Sequence, residues 1–268
     1  MRTGVNIPAT TAMVLSLLIA SSFCTNNAAN GKDKLHAIIV GDTTDQELGN
    51  GAAKNVDNMT SLVEAIADAL GSDLNLKQIV GNDFNCAKLN AAVGSLAANS
   101  GDVVIFHYSG HGFREDGLRS RFPRLWCHGA PSTGPLLEDI ALGFRSSATP
   151  PRMVWAIADA CNITNADAQA LISSLSDTQR KAYVKLFGQK TSGTMIMAGA
   201  DMHQTAFYYP DGGQFSKNLL DALAVEIQRG DDASWKSLTP RVMQPFEGKY
   251  NGRRYIQQPI YLSTLVEQ

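Results

Sequence analysis

The sequence predicts an α/β domain: a mostly parallel, six-stranded sheet with helices on both faces. Two observations predict it. Short apolar runs bounded by glycine or small residues alternate with stretches whose apolar residues recur at helical spacing, the pattern of a sheet covered on both sides. His111 and Cys161, 50 residues apart, each follow one of the apolar runs. If those two runs are neighbouring strands, an imidazole and a thiol emerge at the same sheet edge.

Leu35 to Val40 reads as the first strand, stopped by Gly41. Val56, Met59, Leu62, Val63, Ile66, Ala69 and Leu70 then recur at helical spacing, and Gly71 is a suitable C-terminal stop. Leu76 to Val80 is a second short strand, and Cys86 to Ala98 a helix with Leu89, Val93 and Leu96 on one face. Val103 to Tyr108, Met153 to Ala158 and Thr194 to Gly199 are the third, fourth and fifth strands. Gln214 to Arg229 is a helix, and Gln258 to Leu262 a sixth strand whose Pro259 suits a sheet edge. Glycine and proline between residues 110 and 151 read as long loops over the site. In sheets of this kind, sites form beyond the carboxyl ends of the strands, where His111 and Cys161 stand.

The chain has 268 residues, 44% hydrophobic, enough for a real core, and no stretch resembling an interdomain linker. One domain over residues 35–268 is expected. The net charge of −2, without blocks of like charge, argues against a nucleic-acid or anionic-membrane surface. Residues 1–24 carry Arg2 and a short apolar run, Ala12 to Ala20, which reads as a secretory signal peptide too short to span a bilayer. A retained membrane anchor is the alternative. The domain is therefore expected to be secreted or periplasmic, meeting a membrane only if that segment is retained. Of Cys24, Cys86, Cys127 and Cys161, the first leaves with the signal. The odd remainder suits one reactive thiol and at most one disulfide; Cys86–Cys127 is the bridge that leaves Cys161 free. No cysteine or histidine cluster has zinc spacing, so no metal site is expected.

His107-Tyr108-Ser109-Gly110-His111-Gly112 is the most specific run. Its glycines permit a tight turn and close backbone approach to a ligand. His111 is the candidate general acid/base and Cys161 the candidate nucleophile, attacking a carbonyl as thiolate. The backbone amides of Gly112 and Cys161 are candidate oxyanion donors. His107 reads as an in-strand residue.

Tyr108-Ser109-Gly110-His111-Gly112, Asp159-Ala160-Cys161 and the helix opening Gly213-Gln214-Phe215-Ser216 resemble the motifs of caspase-like cysteine peptidases, in particular metacaspase-type bacterial members. Ala53-Lys54-Asn55-Val56-Asp57 resembles the Asn-Asp segment that opens their first helix. The resemblance covers about residues 35 to 262 and implies a caspase-like three-layer α/β/α sandwich. It also implies a cysteine-type endopeptidase cleaving after Arg or Lys, with Asp57 and Asp159 as pocket acids and Asp201 at the rim; a carboxylate there would hold a guanidinium by charge-assisted hydrogen bonds. Protein or peptide substrates with a basic residue before the scissile bond are the expected partners, and a monomer the expected state. No cofactor is expected. The Asp-rich calcium loop of many metacaspases is not evident, since only isolated acidic pairs, Glu115-Asp116 and Glu138-Asp139 among them, follow His111; calcium dependence is therefore doubtful. Asn162 stands where metacaspases usually carry histidine, which leaves a catalytically silent caspase-like binding or regulatory module as the alternative. Residues 178 to 190 carry Arg180, Lys181, Lys185 and Lys190. Self-cleavage there and a solvated surface helix are the two readings of that segment.

Overall fold

The central strands of the sheet are buried along their whole length, because helices cover both faces of them. In the computed structural model, which describes residues 32–115, 117–129, 133–160, 175–250 and 253–268, the sheet order is β12-β7-β6-β3-β1-β2. Here β1 is Lys34–Gly41, β2 Asp73–Val80, β3 Val103–Gly110, β6 Met153–Ala160, β7 Thr191–Ala198 and β12 Ile260–Ser263. The pairs β1–β2, β1–β3, β3–β6 and β6–β7 are parallel. At the edge β12 runs antiparallel to β7, beginning just after Pro259, where a missing N–H costs no ladder bond. Val266–Glu267 (β13) pairs antiparallel with the amino-terminal end of β7. All eight residues of β3 and of β6 are buried, as apolar runs covered on two faces require; β2, on the opposite edge, is largely exposed.

One apolar layer gathers the sheet residues Ile105, Trp155 and Met197 with α1 (Gly49–Leu70), α4 (Asp177–Phe187), α5 (Gln214–Ile227) and α6 (Trp235–Val242). The other gathers Phe106, Ala156 and Ile196 with α2 (Cys86–Gly94) and α3 (Leu137–Arg145). This is the three-layer α/β/α sandwich that the sequence implied. The short ribbons β4 (Gly112–Phe113) with β5 (Arg124–Leu125), β8 (Tyr208–Tyr209) with β9 (Gly212–Gly213), and β10 (Phe246–Tyr250) with β11 (Arg253–Gln257) are antiparallel additions. They were not expected: two-residue strands carry no periodicity, and the five-residue strands β10 and β11 lack an alternating apolar pattern.

Boundaries follow local chemistry. α1 ends at Gly71, whose φ of 62° is left-handed, as expected of a glycine stop. α2 opens on Asn85, whose side chain accepts from the Lys88 amide, and ends at Gly94 instead of reaching Ala98; glycine is a weak helix former. α3 falls inside a segment expected to be loop. Leu137, Ile140, Ala141 and Phe144 are buried on one stripe of it, a pattern hidden by the glycines and prolines around it. The basic segment 178–190 lies mostly in α4, which has a capping box between Ser176 and Gln179 and buries Ala182, Tyr183, Leu186 and Phe187. A packed helix does not present an extended chain to a protease, so this geometry favours the helix reading over the self-cleavage one. Cys86 and Cys127 form a disulfide with Cα atoms 5.1 Å apart, the bridge that leaves Cys161 unpaired with either.

Candidate active site

Strand register brings the site together. Gly41 of β1 pairs with Ser109 of β3, and Ser109 pairs with Asp159 of β6. Gly110 then faces Ala160, so the carboxyl ends of three adjacent strands form one row. His111 follows immediately after β3. Cys161 follows β6 in sequence but lies outside the described residues, as do Asn162 and the N-terminal residues 1–24 with Cys24.

His111 is partly exposed and tightly framed. Its Nε2 lies 3.1 Å from Asp45 Oδ2. Its ring stands edge-on to Trp126, centroids 6.0 Å apart. The Trp126 amide donates to the His111 carbonyl at 3.0 Å, and the Tyr108 hydroxyl sits 2.6 Å from the same oxygen. Asp45 is itself oriented, its Oδ1 accepting from the amides of Glu47 at 2.8 Å and Leu48 at 3.0 Å. Burial works against its ionisation, but those amides and the His111 side chain outweigh it and hold Asp45 below the ordinary carboxylate range. A carboxylate on one imidazole nitrogen fixes the ring orientation and the tautomer. Asp42, three residues earlier, is 1% exposed. Neither of its oxygens has a hydrogen-bond partner among the described residues. Burial first, then the Asp45 charge, raise its pKa.

Asp159 is fully buried at the end of β6. Its Oδ2 accepts from the Ser216 amide at 2.8 Å, in the first turn of α5, a position where exposed N–H groups favour an anion. Burial nevertheless pushes its pKa up to about 6, with the Ser216 and Asn55 hydrogen bonds opposing. Gly213 has to be glycine here, because a Cβ on it would lie 2.2 Å from Asp159 Oδ2. Asn55, buried on α1, donates to Ser109 Oγ at 2.9 Å and Tyr208 Oη at 3.1 Å, and accepts from the Gly213 amide at 3.3 Å. Tyr208, fully buried, also hydrogen-bonds Ser109 through its hydroxyl.

Of the residues expected from sequence, His111, Gly112 and Asp159 stand together at this sheet end. Asp57 does not join them. It is exposed on α1, and the first helix instead contributes Asn55, two residues earlier and on the buried face, so an amide replaces the expected acid beside Asp159. Asp201 lines a cleft with Gly112 and Ala160, but its carboxylate is already held by Arg121, whose Nη2 lies 2.5 Å from Oδ2. Burial opposes ionisation of Asp201, and the Arg121 hydrogen bond overcomes it, lowering the pKa. Burial lowers His107 to about 3, which keeps it a neutral in-strand residue. Asp42, Asp45, Tyr208 and Trp126 were not expected. The signal for the first two was available: both follow the first strand directly, at the sheet edge where sites form.

A parallel sheet with a framed histidine just beyond one strand and an Asp-Ala-Cys sequence closing its neighbour is the arrangement of the caspase fold. The chain belongs to the caspase-domain family, peptidase family C14, whose family profile matches residues 34–268. Solved structures agree on the fold. A protein of Geobacter sulfurreducens is 15% identical with a TM-score of 0.53, covering 86% of this chain and 93% of its own. Caspase-1 of Spodoptera frugiperda is 12% identical with a TM-score of 0.52, covering 87% of this chain and 86% of its own. No curated protein sequence matches.

Proposed function

We propose that this caspase-family chain is an endopeptidase that cleaves after Arg or Lys through Cys161 and His111, acting outside the cytoplasm. The supporting observation is the row at the carboxyl ends of β1, β3 and β6. It holds a histidine braced by Asp45 one residue beyond the strand that pairs with β6, the strand Cys161 follows in sequence, with a buried carboxylate, Asp159, alongside.

In the first step the Cys161 thiolate forms a C–S bond to the scissile carbonyl carbon, and the carbonyl π electrons move to oxygen. Amides of Gly112 and Cys161 stabilise that oxyanion, a contribution of about 2.7–4 kcal/mol per donor. The C–N bond then breaks as His111 gives its proton to the leaving amine. Water, deprotonated by His111, attacks the thioester; the acid leaves and the thiol is restored. Asp45 keeps the ring oriented throughout. The basic side chain of the substrate is read by Asp159 in its ionised form, with Asn55 and Ser109 as neutral acceptors and Asp201 at the rim. No cofactor takes part, calcium included, and the partners are peptides or proteins with a basic residue before the scissile bond. The protein works as a monomer. The leader at residues 1–24 and the Cys86–Cys127 disulfide both fit an oxidising, secreted or periplasmic setting.

A silent binding module is the second reading. Asn162 favours it, as does the Tyr208 hydroxyl standing against Ser109 and Asn55, where a guanidinium would bind. Fluorogenic peptides with Arg, Lys or Asp before the reporter, with and without calcium and beside Cys161→Ala, separate the two. Arg/Lys turnover lost in Cys161→Ala is the expected result. No turnover, with Cys161 slow to alkylate by iodoacetamide, supports the silent module.

A further inference from the structure

We propose that Asp42, Asp45 and His111 form a binding site for a zinc-class divalent transition-metal ion whose occupancy silences the peptidase by capturing His111. The inhibitory half of this rests on the functional reading above; the binding half does not.

One donor atom from each of the three residues lies within 4.8 Å of the other two. Asp45 Oδ2 and His111 Nε2 are 3.1 Å apart. Two ligands each about 2.0–2.2 Å from zinc are separated by roughly 3.3 Å in tetrahedral geometry, so this pair is close to the spacing of two corners of such a site. Asp42 supplies an independent observation. Its carboxylate is 1% exposed and both oxygens lack a hydrogen-bond partner among the described residues. Buried carboxylates are ordinarily paired or metal-bound; this one points into the cluster, and no donor among the described residues hydrogen-bonds it. His128 completes the set. Its Nε2 lies 3.9 Å from Asp42 Oδ1; its side chain is about half exposed, with the ring edge-on to Phe84 and Trp126.

Two imidazoles and two carboxylates form a four-ligand N/O set that suits zinc, cobalt or nickel. Calcium takes six to eight oxygens, so it fits poorly. Metal on Nε2 displaces the Asp45 contact. With Nε2 coordinated, the ring proton that faced Asp45 is transferred to Nδ1 and no lone pair is left to accept another, so the imidazole is lost as a base while the metal stays bound.

The test begins with metal-free Cys161→Ala protein, which has no nucleophile, so the binding result is independent of any peptidase activity. Titration with cobalt(II) is expected to saturate at one equivalent with the strong visible absorption of a four-coordinate site. Adding Asp42→Asn or, separately, His128→Ala to that protein should weaken binding about 10–100-fold, the usual cost of disturbing a metal site. Thermal melting checks that each variant is folded. In otherwise wild-type protein, Asp42→Asn should leave turnover in chelator intact and shift the zinc inhibition curve by the same factor. Three results overturn the proposal: no cobalt binding at micromolar concentration, binding indifferent to Asp42→Asn, or binding that disappears in Cys161→Ala.

Discussion

At the residue scale, the site rests on carboxylates with opposite environments. Asp45 is held ionised by two amides and the His111 ring, while Asp159 is pushed up to about 6 by burial. Their consequences differ. Asp45 positions His111, so Asp45→Asn should lower kcat on the order of 10–100-fold with little change in KM, less than the 10²–10⁴ that general acid–base catalysis itself supplies. Steady-state kinetics on an Arg substrate checks this, and an equal loss in KM would mean that Asp45 only holds the fold. Asp159 governs pH dependence. Its folded pKa is raised, so its contribution to stability is fully present below the ordinary value of 3.8 and is lost as pH rises through about 6. Binding a basic side chain demands the ionised form, so kcat/KM for Arg substrates should fall as pH drops below about 6. Measured beside Asp159→Asn, the selectivity for Arg over a neutral residue should vanish below that pH in the wild type and be absent at every pH in the variant.

At the scale of elements, two devices hold the face of the sheet opposite the α1 layer. α2 contributes only nine residues, too few for an isolated helix to persist in water. The disulfide from its first residue, Cys86, to Cys127 closes 41 residues of chain, which restricts the unfolded chain by about 4 kcal/mol of loop entropy. The double variant Cys86→Ala/Cys127→Ala should lose roughly 2–4 kcal/mol in denaturant unfolding. It should also weaken the Trp126–His128 segment, next to Cys127, that packs against the His111 ring. An unchanged midpoint would show that apolar packing alone anchors α2. α4 is the opposite case. Its basic residues looked exposed and cleavable, but Arg180 pairs with Asp68 of α1, and the buried side of the helix secures it to the core.

For the whole molecule, the sheet separates a functional end from a structural one. At the amino ends of the strands the buried Asp102 carboxylate accepts from the Lys34 amide at 2.7 Å and the Asn99 amide at 2.8 Å, and lies 3.1 Å from His36 Nε2. Burial opposes its ionisation, but these partners prevail and its pKa is lowered. A lowered carboxylate contributes stability above its unfolded value near 3.8, lost as pH falls through the folded value. Acid unfolding should therefore steepen below about pH 4, and Asp102→Asn should flatten that limb while lowering the neutral-pH stability. Urea melts across pH 3 to 7 measure both. Removing one partner of a buried pair commonly costs about 3–5 kcal/mol.

What could be read from the sequence alone was what periodicity and punctuation encode. The six strands, α1 with its Gly71 stop, α5, and the placing of His111 and Cys161 directly after two apolar runs all followed from runs of apolar residues and the glycines bounding them; that the two runs pair side by side came from the fold. These are local signals, repeated over enough residues to stand out. Three things required the tertiary structure. α3 is hidden among the glycines and prolines around it, and the two-residue ribbons are too short for a periodic signal. The choice between Asn55 and Asp57 turns on helix phase, since two residues move a side chain about 200° around the axis, so one faces Ser109 and the other faces water. Asp42, Asp45, His128 and Tyr208 are separated from His111 by up to 97 residues of chain and meet it, or its neighbour Ser109, only through strand register and loop packing. Side chains distant in sequence leave no pattern in it; their chemistry arises only when the folded backbone sets them a few ångströms apart.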